Sequence, residues 1–129
     1  MKAIYARLFA DAAGALRIED LSIDLLPGFA VPPAEPLQSA SFLAPEGSTV
    51  WIGAPPNWKG GEPHPAPRRM IFVTTQGEYE VTTSSGSIRR FPVRSVLLVK
   101  DVSGDGHSTR ITSGESLIVF AVGLPKEDY

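Results

Sequence analysis

Apolar and polar residues trade places over short distances along most of this chain. Residues 16–25 read Leu, Arg, Ile, Glu, Asp, Leu, Ser, Ile, Asp, Leu. A period of two marks a strand with one buried face. The phase slips at Glu19-Asp20, which predicts an interruption there. Residues 3–9 form an earlier apolar run, and Asp11-Ala12-Ala13-Gly14 reads as the turn between the two. Further strands are predicted at 39–44, 49–54, 69–76, 78–83, 88–92, 95–100, 108–112 and 116–123. Pro45-Glu46-Gly47-Ser48 and Ser84-Ser85-Gly86-Ser87 separate neighbours as turns. Val96-Leu97-Leu98-Val99 and Leu117-Ile118-Val119-Phe120-Ala121-Val122 are apolar without alternation, a pattern expected of strands covered on both faces. Residues 126–129 read as a frayed tail.

Two stretches interrupt this rhythm. Residues 27–36, Pro-Gly-Phe-Ala-Val-Pro-Pro-Ala-Glu-Pro, cannot form a central strand, because proline lacks the ladder donor. They predict an extended connector that lies on the domain or reaches a neighbouring subunit. Residues 55–67 make the longest irregular segment and carry Trp58, Lys59, Glu62 and His64. Loops of this length in a compact domain usually serve a function or move. Twelve Gly and twelve Pro leave little room for long helices. There is no internal repeat and no Gly-rich phosphate loop leading into a helix. The elements predict an all-β sandwich, jelly roll or barrel.

Composition narrows the class. A chain of 129 residues, 43% apolar and 20% charged, is expected to be one globular domain. A net charge of −2 offers no general pull toward nucleic acid or an anionic membrane. Arg68, Arg69, Arg89, Arg90, Arg94, Lys100 and Arg110 crowd the second half. They read either as solvated strand faces or as a local site for an anionic ligand. With no cysteine, disulfides, thiolate nucleophiles and thiolate metal sites are excluded. The first residues are broken by Arg7 and Asp11 and resemble neither a signal peptide nor a membrane span. A cytoplasmic protein is the expectation.

The candidate chemistry gathers around the only two histidines, His64 and His107. They are either pocket residues suited to proton transfer or hydrogen-bonded loop residues. Strand alternation carried back from Met70 turns Arg68 inward with Met70 and Phe72, and Arg69 outward. An inward guanidinium suits a carboxylate or phosphate ligand, or an internal Asp or Glu. Met70 and Phe72 read as lining, and Trp51 and Trp58 as an aromatic wall or as packing. Tyr79 is expected on the strand face opposite Glu78 and Glu80.

The stretch His64-Pro-Ala-Pro-Arg-Arg-Met-Ile-Phe-Val-Thr-Thr-Gln-Gly77 resembles the first motif of the cupin superfamily. That motif runs from a His-x-His pair through a Glu to a Gly. His64 holds the first histidine position, while Ala66 and Met70 stand at the second histidine and the glutamate. Six residues separate Met70 from Gly77, as the motif requires. Arg94-Ser95 replaces the Gly-Asp that opens the second motif, and Ser103-Gly104-Asp105-Gly106-His107 supplies its bend and histidine. The resemblance covers about residues 50–122. It is to small single-domain bacterial cupins with degenerate metal-binding motifs.

The resemblance implies a double-stranded β-helix, or jelly-roll barrel, spanning residues 1–129. Residues 1–48 supply N-terminal strands and the Pro-rich connector, and residues 49–123 the barrel core. It also implies a pocket at one mouth and a homodimer built through residues 1–48. Metal-bearing cupins hold iron, manganese, zinc or nickel with three histidines and one glutamate. Here only His64 and His107 remain, with water, Asp101, Asp105 or Glu62 as possible completing ligands. The expectation is therefore a small-molecule-binding cupin without a metal cofactor. It would bind an anionic organic compound through His64, Arg68, Met70, Phe72, Trp51 and His107. His64 and His107 are the candidates for acid–base catalysis of an isomerase or lyase type. The alternatives are a metal-dependent enzyme such as a dioxygenase, using His64 and His107, and a non-catalytic sensor or binding module.

Overall fold

The computed structural model describes residues 1–13, 15–42, 48–101 and 104–125. Gly14, most of the turn at residues 45–48, the end of the strand predicted at 39–44, Ser103 and the C-terminal tail lie outside them. Eleven strands are present among the described residues: β1 (Lys2–Ala10), β2 (Leu16–Asp24), β3 (Leu26–Phe29), β4 (Leu37–Ser41), β5 (Thr49–Ala54), β6 (Met70–Gln76), β7 (Tyr79–Thr83), β8 (Ile88–Phe91), β9 (Val96–Val99), β10 (His107–Ile111) and β11 (Leu117–Gly123). Every pairing between them is antiparallel.

A six-stranded sheet in the order β3-β4-β5-β11-β6-β9 faces a three-stranded sheet in the order β10-β7-β8. Ile52, Met70, Tyr79, Phe91, Leu117, Val119 and Ala121 form the core between them. Tyr79 and Phe91 are cross-strand partners and stack with ring centroids 5.1 Å apart. Jelly-roll geometry leaves the space between the sheets open at one end, and the site lies there.

The second apolar cluster lies on the outer side of the large sheet. Strand alternation sends Ile52 inward and its neighbour Trp51 outward. Trp51 packs there with Ala3, Leu25 and Ile118 beneath the base of the β1–β2 hairpin. Phe42 and Phe120 meet its ring edge-on at 5.9 and 4.9 Å.

Three sequence expectations change. β9 is not covered on both faces, because it is an edge strand whose Val96 and Leu98 are exposed. The predicted interruption at Glu19-Asp20 is absent, since β1 and β2 pair residue for residue from Lys2↔Asp24 to Ala10↔Leu16. The phase slip instead turns the apolar residues of one continuous strand to its other face. The Pro-rich segment is also not wholly strand-free, because Leu26–Phe29 pairs with β4. It is an edge strand, where Pro27 has no ladder donor to lose. Beyond it, Val31 and Ala34 fold over the barrel mouth.

Arg94 has a φ of 78°, a left-handed conformation that costs a side-chain-bearing residue roughly 1–2 kcal/mol. Its amide donates to the Thr74 carbonyl at 2.9 Å, which fixes the turn into β9.

Candidate functional site: a cavity at the barrel mouth

β6, β7, β9 and β10 carry their inward residues into a cavity of about 380 Å³. This is the lower end of the usual range for small-molecule sites. Strand register sets its depth. Met70 pairs with Val99 and Phe72 with Leu97, one layer further in. Thr83 pairs with His107, Val81 with Thr109 and Tyr79 with Ile111, again in descending order. The interior is mainly apolar. His64, Arg68, Lys100, Asp101 and His107 all line the same cavity, from segments at its mouth.

The two histidines meet through their backbones. His64 and His107 form an isolated bridge, with amide-to-carbonyl distances of 2.9 and 3.0 Å. Their ring centroids are 5.6 Å apart. Gly106 makes this approach possible: it has a φ of 76°, and a Cβ there would run into the His64 carbonyl. The Ala66 amide donates to the Asp101 carbonyl at 2.8 Å, tying the loop before β6 to the end of β9.

Side-chain bonds then orient both rings. His107 Nδ1 lies 2.5 Å from Asp101 Oδ2. His64 Nδ1 lies 3.1 Å from the Pro65 carbonyl oxygen. A carbonyl can only accept, and an ionised carboxylate likewise, so each Nδ1 carries the proton. In the neutral imidazole, Nε2 is then the acceptor. His107 is the better supported of the two, because its partner is a carboxylate.

His64, Arg68, Met70, Phe72 and His107 are thus brought around one cavity. Arg68 sits at the exposed rim and is not the buried inward guanidinium expected from strand alternation, because residues 65–69 precede β6, and Arg69 is the less exposed of the two. Trp51 is not among the lining residues. It occupies the opposite face of β5 for the parity reason given above. Trp58, from the long loop, does line the cavity, and its Nε1 donates to the Glu35 carbonyl at 3.0 Å.

Sequence reasoning missed two contributors. The sequence offers Asp101 only as a completing metal ligand, yet it holds His107. Tyr79 was assigned only to a strand face, and that face is the cavity wall. Burial pushes the Tyr79 hydroxyl up to about 12, despite an opposing hydrogen bond with Thr74. It is therefore a neutral polar group in a mainly apolar interior. Its position between Glu78 and Glu80 was the available signal, since two charged neighbours on one face send the residue between them inward.

The donor set does not fit an ordinary metal centre. Among the described residues, no three His, Cys, Asp or Glu side chains gather around one point. Asp105 and Glu62 add nothing to the two imidazoles, and the Asp101 carboxylate is already bonded to one of them.

No protein-family model matches the sequence, and no curated protein matches it. Solved structures do match. The Cnp3 cupin domain of Schizosaccharomyces pombe shares 20% identity at a TM-score of 0.51, covering 96% of this chain and 84% of that one. A predicted oxalate decarboxylase from Thermotoga maritima shares 18% at 0.57, covering 78% and 95%. A protein assigned to ethanolamine utilization (protein Q) from Salmonella typhimurium shares 13% at 0.56, covering 98% and 99%. The chain has a cupin fold. At such identities the likeness speaks for the architecture alone. No helix among the described residues of this cupin barrel is long and apolar enough to cross a membrane.

Proposed function

We propose that this cupin barrel binds a small anionic organic molecule with an apolar body and performs metal-independent acid–base chemistry on it. The observation that carries this reading is the His107–Asp101 pair at the mouth of an apolar cavity. Asp101 accepts from His107 Nδ1, which leaves Nε2 as the base. A carboxylate in this role fixes the tautomer and stabilises the imidazolium that forms when Nε2 takes a proton. Return of that proton to a neighbouring atom gives an isomerisation. Expulsion of a leaving group from the adjacent carbon gives an elimination.

The polarity gradient suggests how the ligand lies. Its apolar part fits among Met70, Phe72, Leu97 and Val81, where burial contributes about 25 cal/mol per Å². Its anionic group stays at the rim near Arg68 and Lys100, where charge need not be desolvated.

The test is a thermal-shift screen of small carboxylates and phosphate esters, followed by product analysis on any binder. The expected result is a ligand that is converted by the native protein and bound but not converted by His107→Asn. A ligand bound by the native protein and recovered unchanged would instead make the barrel a binding or sensor module. Stoichiometric iron, manganese, zinc or nickel in untagged protein, lost in His64→Ala/His107→Ala, would overturn the metal-free reading.

A further inference from the structure

Strands enclose most of the cavity, but one wall is not a strand. Val31, Ala34 and Trp58 line it from two irregular segments, residues 31–35 between β3 and β4 and residues 55–63 after β5. Each segment is closed by a turn of its own. The Ala34 amide donates to the Val31 carbonyl and the Trp58 amide to the Pro55 carbonyl, both at 3.0 Å. Residues 55–63 run directly into His64 at the mouth.

The two segments are fastened to each other. The Glu35 amide donates to the Lys59 carbonyl at 3.1 Å, and Trp58 Nε1 donates to the Glu35 carbonyl at 3.0 Å. Gly61 lets the two backbones approach. It has a φ of 76°, and a Cβ there would lie 2.9 Å from the Pro33 carbonyl oxygen. Trp58 is 8% exposed, while Pro56, Asn57 and Lys59 around it are exposed. Its indole is thus the side chain that seals the seam. Among the described residues, the hydrogen bonds of both segments stay within them or run between them.

The strand walls are held differently. Met70 belongs to a strand with ladders to both β9 and β11. Withdrawing it from the cavity would tear a sheet. Parting the two segments breaks two hydrogen bonds and no ladder, and elements held so lightly open without global unfolding. There is also room for the movement. Gly60 and Gly61 border a second hollow of about 200 Å³, formed with Glu80, Ser108 and Arg110. By strand alternation those three side chains lie on the outward face of the small sheet, opposite Tyr79, Thr109 and Ile111. The loop therefore has free space outside the cavity.

We propose that the two segments are flaps that part to admit a ligand and close over its apolar body, with the Trp58 indole as the latch between them. The His64–His107 bridge is the fixed side of the entrance and the flaps are its movable side. Loops that gate sites in this way move on microsecond to millisecond timescales. The inference rests on the cavity being the binding site proposed above, and on none of the chemistry assigned to its histidines.

Native-state hydrogen exchange tests the latch without a ligand. The Trp58 indole and the Glu35 amide should share one protection factor, at least about tenfold below that of the Val119 and Ala121 amides in β11. Trp58→Phe removes one of the two bonds and should speed exchange of the Glu35 amide by about two- to tenfold. Because the chain has no cysteine, Glu35→Cys/Lys59→Cys can be oxidised to a single disulfide across the seam. Oxidation should slow exchange of the Trp58 indole by at least about tenfold, and dithiothreitol should restore it. Fluorine NMR of fluorobenzene and 4-fluorobenzoate then measures entry. The disulfide should slow association and dissociation of both probes by about tenfold or more while their affinities change little. Strand-like protection at Trp58 and Glu35, or entry rates that ignore the disulfide, would overturn the flaps and leave the proposed function standing. Gated entry of fluorobenzene alone would support the flaps and remove the anionic ligand. Exclusion of both probes from the reduced protein would overturn the entrance. If the cysteine pair does not fold, the native exchange pattern and Trp58→Phe decide.

Discussion

The two sides of the six-stranded sheet carry similar residues to different ends. Inside, Ile52, Met70, Leu117 and Val119 belong to the core and also border a cavity of about 380 Å³. Outside, Trp51, Ile118 and Phe120 close against the hairpin base and Phe42. Adjacent residues of one strand, Trp51 and Ile52, thus belong to different assemblies. The difference shows that apolar composition does not mark a binding site. The inner side becomes a site because polar groups from four segments converge on one end of an unfilled space. The outer side becomes structure around Trp51, where the hairpin base and Phe42 cover it.

The largest expected effect lies on the outer side. Trp51→Ala should lower stability by about 3–5 kcal/mol, as large-to-small changes at buried aromatics do. A urea midpoint series measures the loss. Ligands found with the native protein should still bind the folded fraction, and loss of binding at full folding would break the division between the two sides.

Gly106→Ala should come next and should act on the inner side. It forces a left-handed residue, worth roughly 1–2 kcal/mol, and pushes the new Cβ into His64. The His64–His107 bridge would open. Histidine side-chain resonances should move while the Trp51 indole resonance stays in place. Shifts at both would mean that the two sides are coupled.

The smallest effect concerns acid. Glu80 lies on the outward face of β7, and hydrogen bonds from Arg110 (2.8 Å) and Arg90 (3.2 Å) join β10 and β8 to it. The Arg110 bond is the main cause holding its carboxyl below the usual carboxylate range, with the Arg90 bond assisting against partial burial. A depressed folded value means that this stabilisation is present above the unfolded carboxylate range. It is lost as pH falls through the folded value. Glu80→Gln should therefore be less stable at neutral pH and lose part of the acid sensitivity, by an amount reduced by solvent screening. Melting temperatures at pH 7 and below pH 4 check this, and an unchanged acid slope would remove Glu80 as the cause.

Period and punctuation settled much of the architecture. The runs at 49–54, 69–76 and 116–123 contain β5, β6 and β11 to within a residue or so at their ends. The spacing from His64 through Met70 to Gly77 pointed to the cupin fold, because alternation and turn residues are local properties of a chain. Arg94 is instructive here: it adopts a left-handed turn at the position where the cupin motif has glycine. What packs against each face was not legible locally. Trp51 and Trp58 look alike in sequence, yet the hairpin base covers one and the cavity takes the other. Glu19-Asp20 looked like a break, yet pairing with β1 carries β2 straight through it. Asp101 and His107 are six residues apart, and no short-range pattern announces the contact between that carboxylate and imidazole or the bridge to His64. The sequence by itself determined most of the strands, their succession along the chain and the two histidines. The tertiary structure decided which face of each strand meets the cavity, because contact across a sheet or between sheets joins residues that no short-range pattern relates.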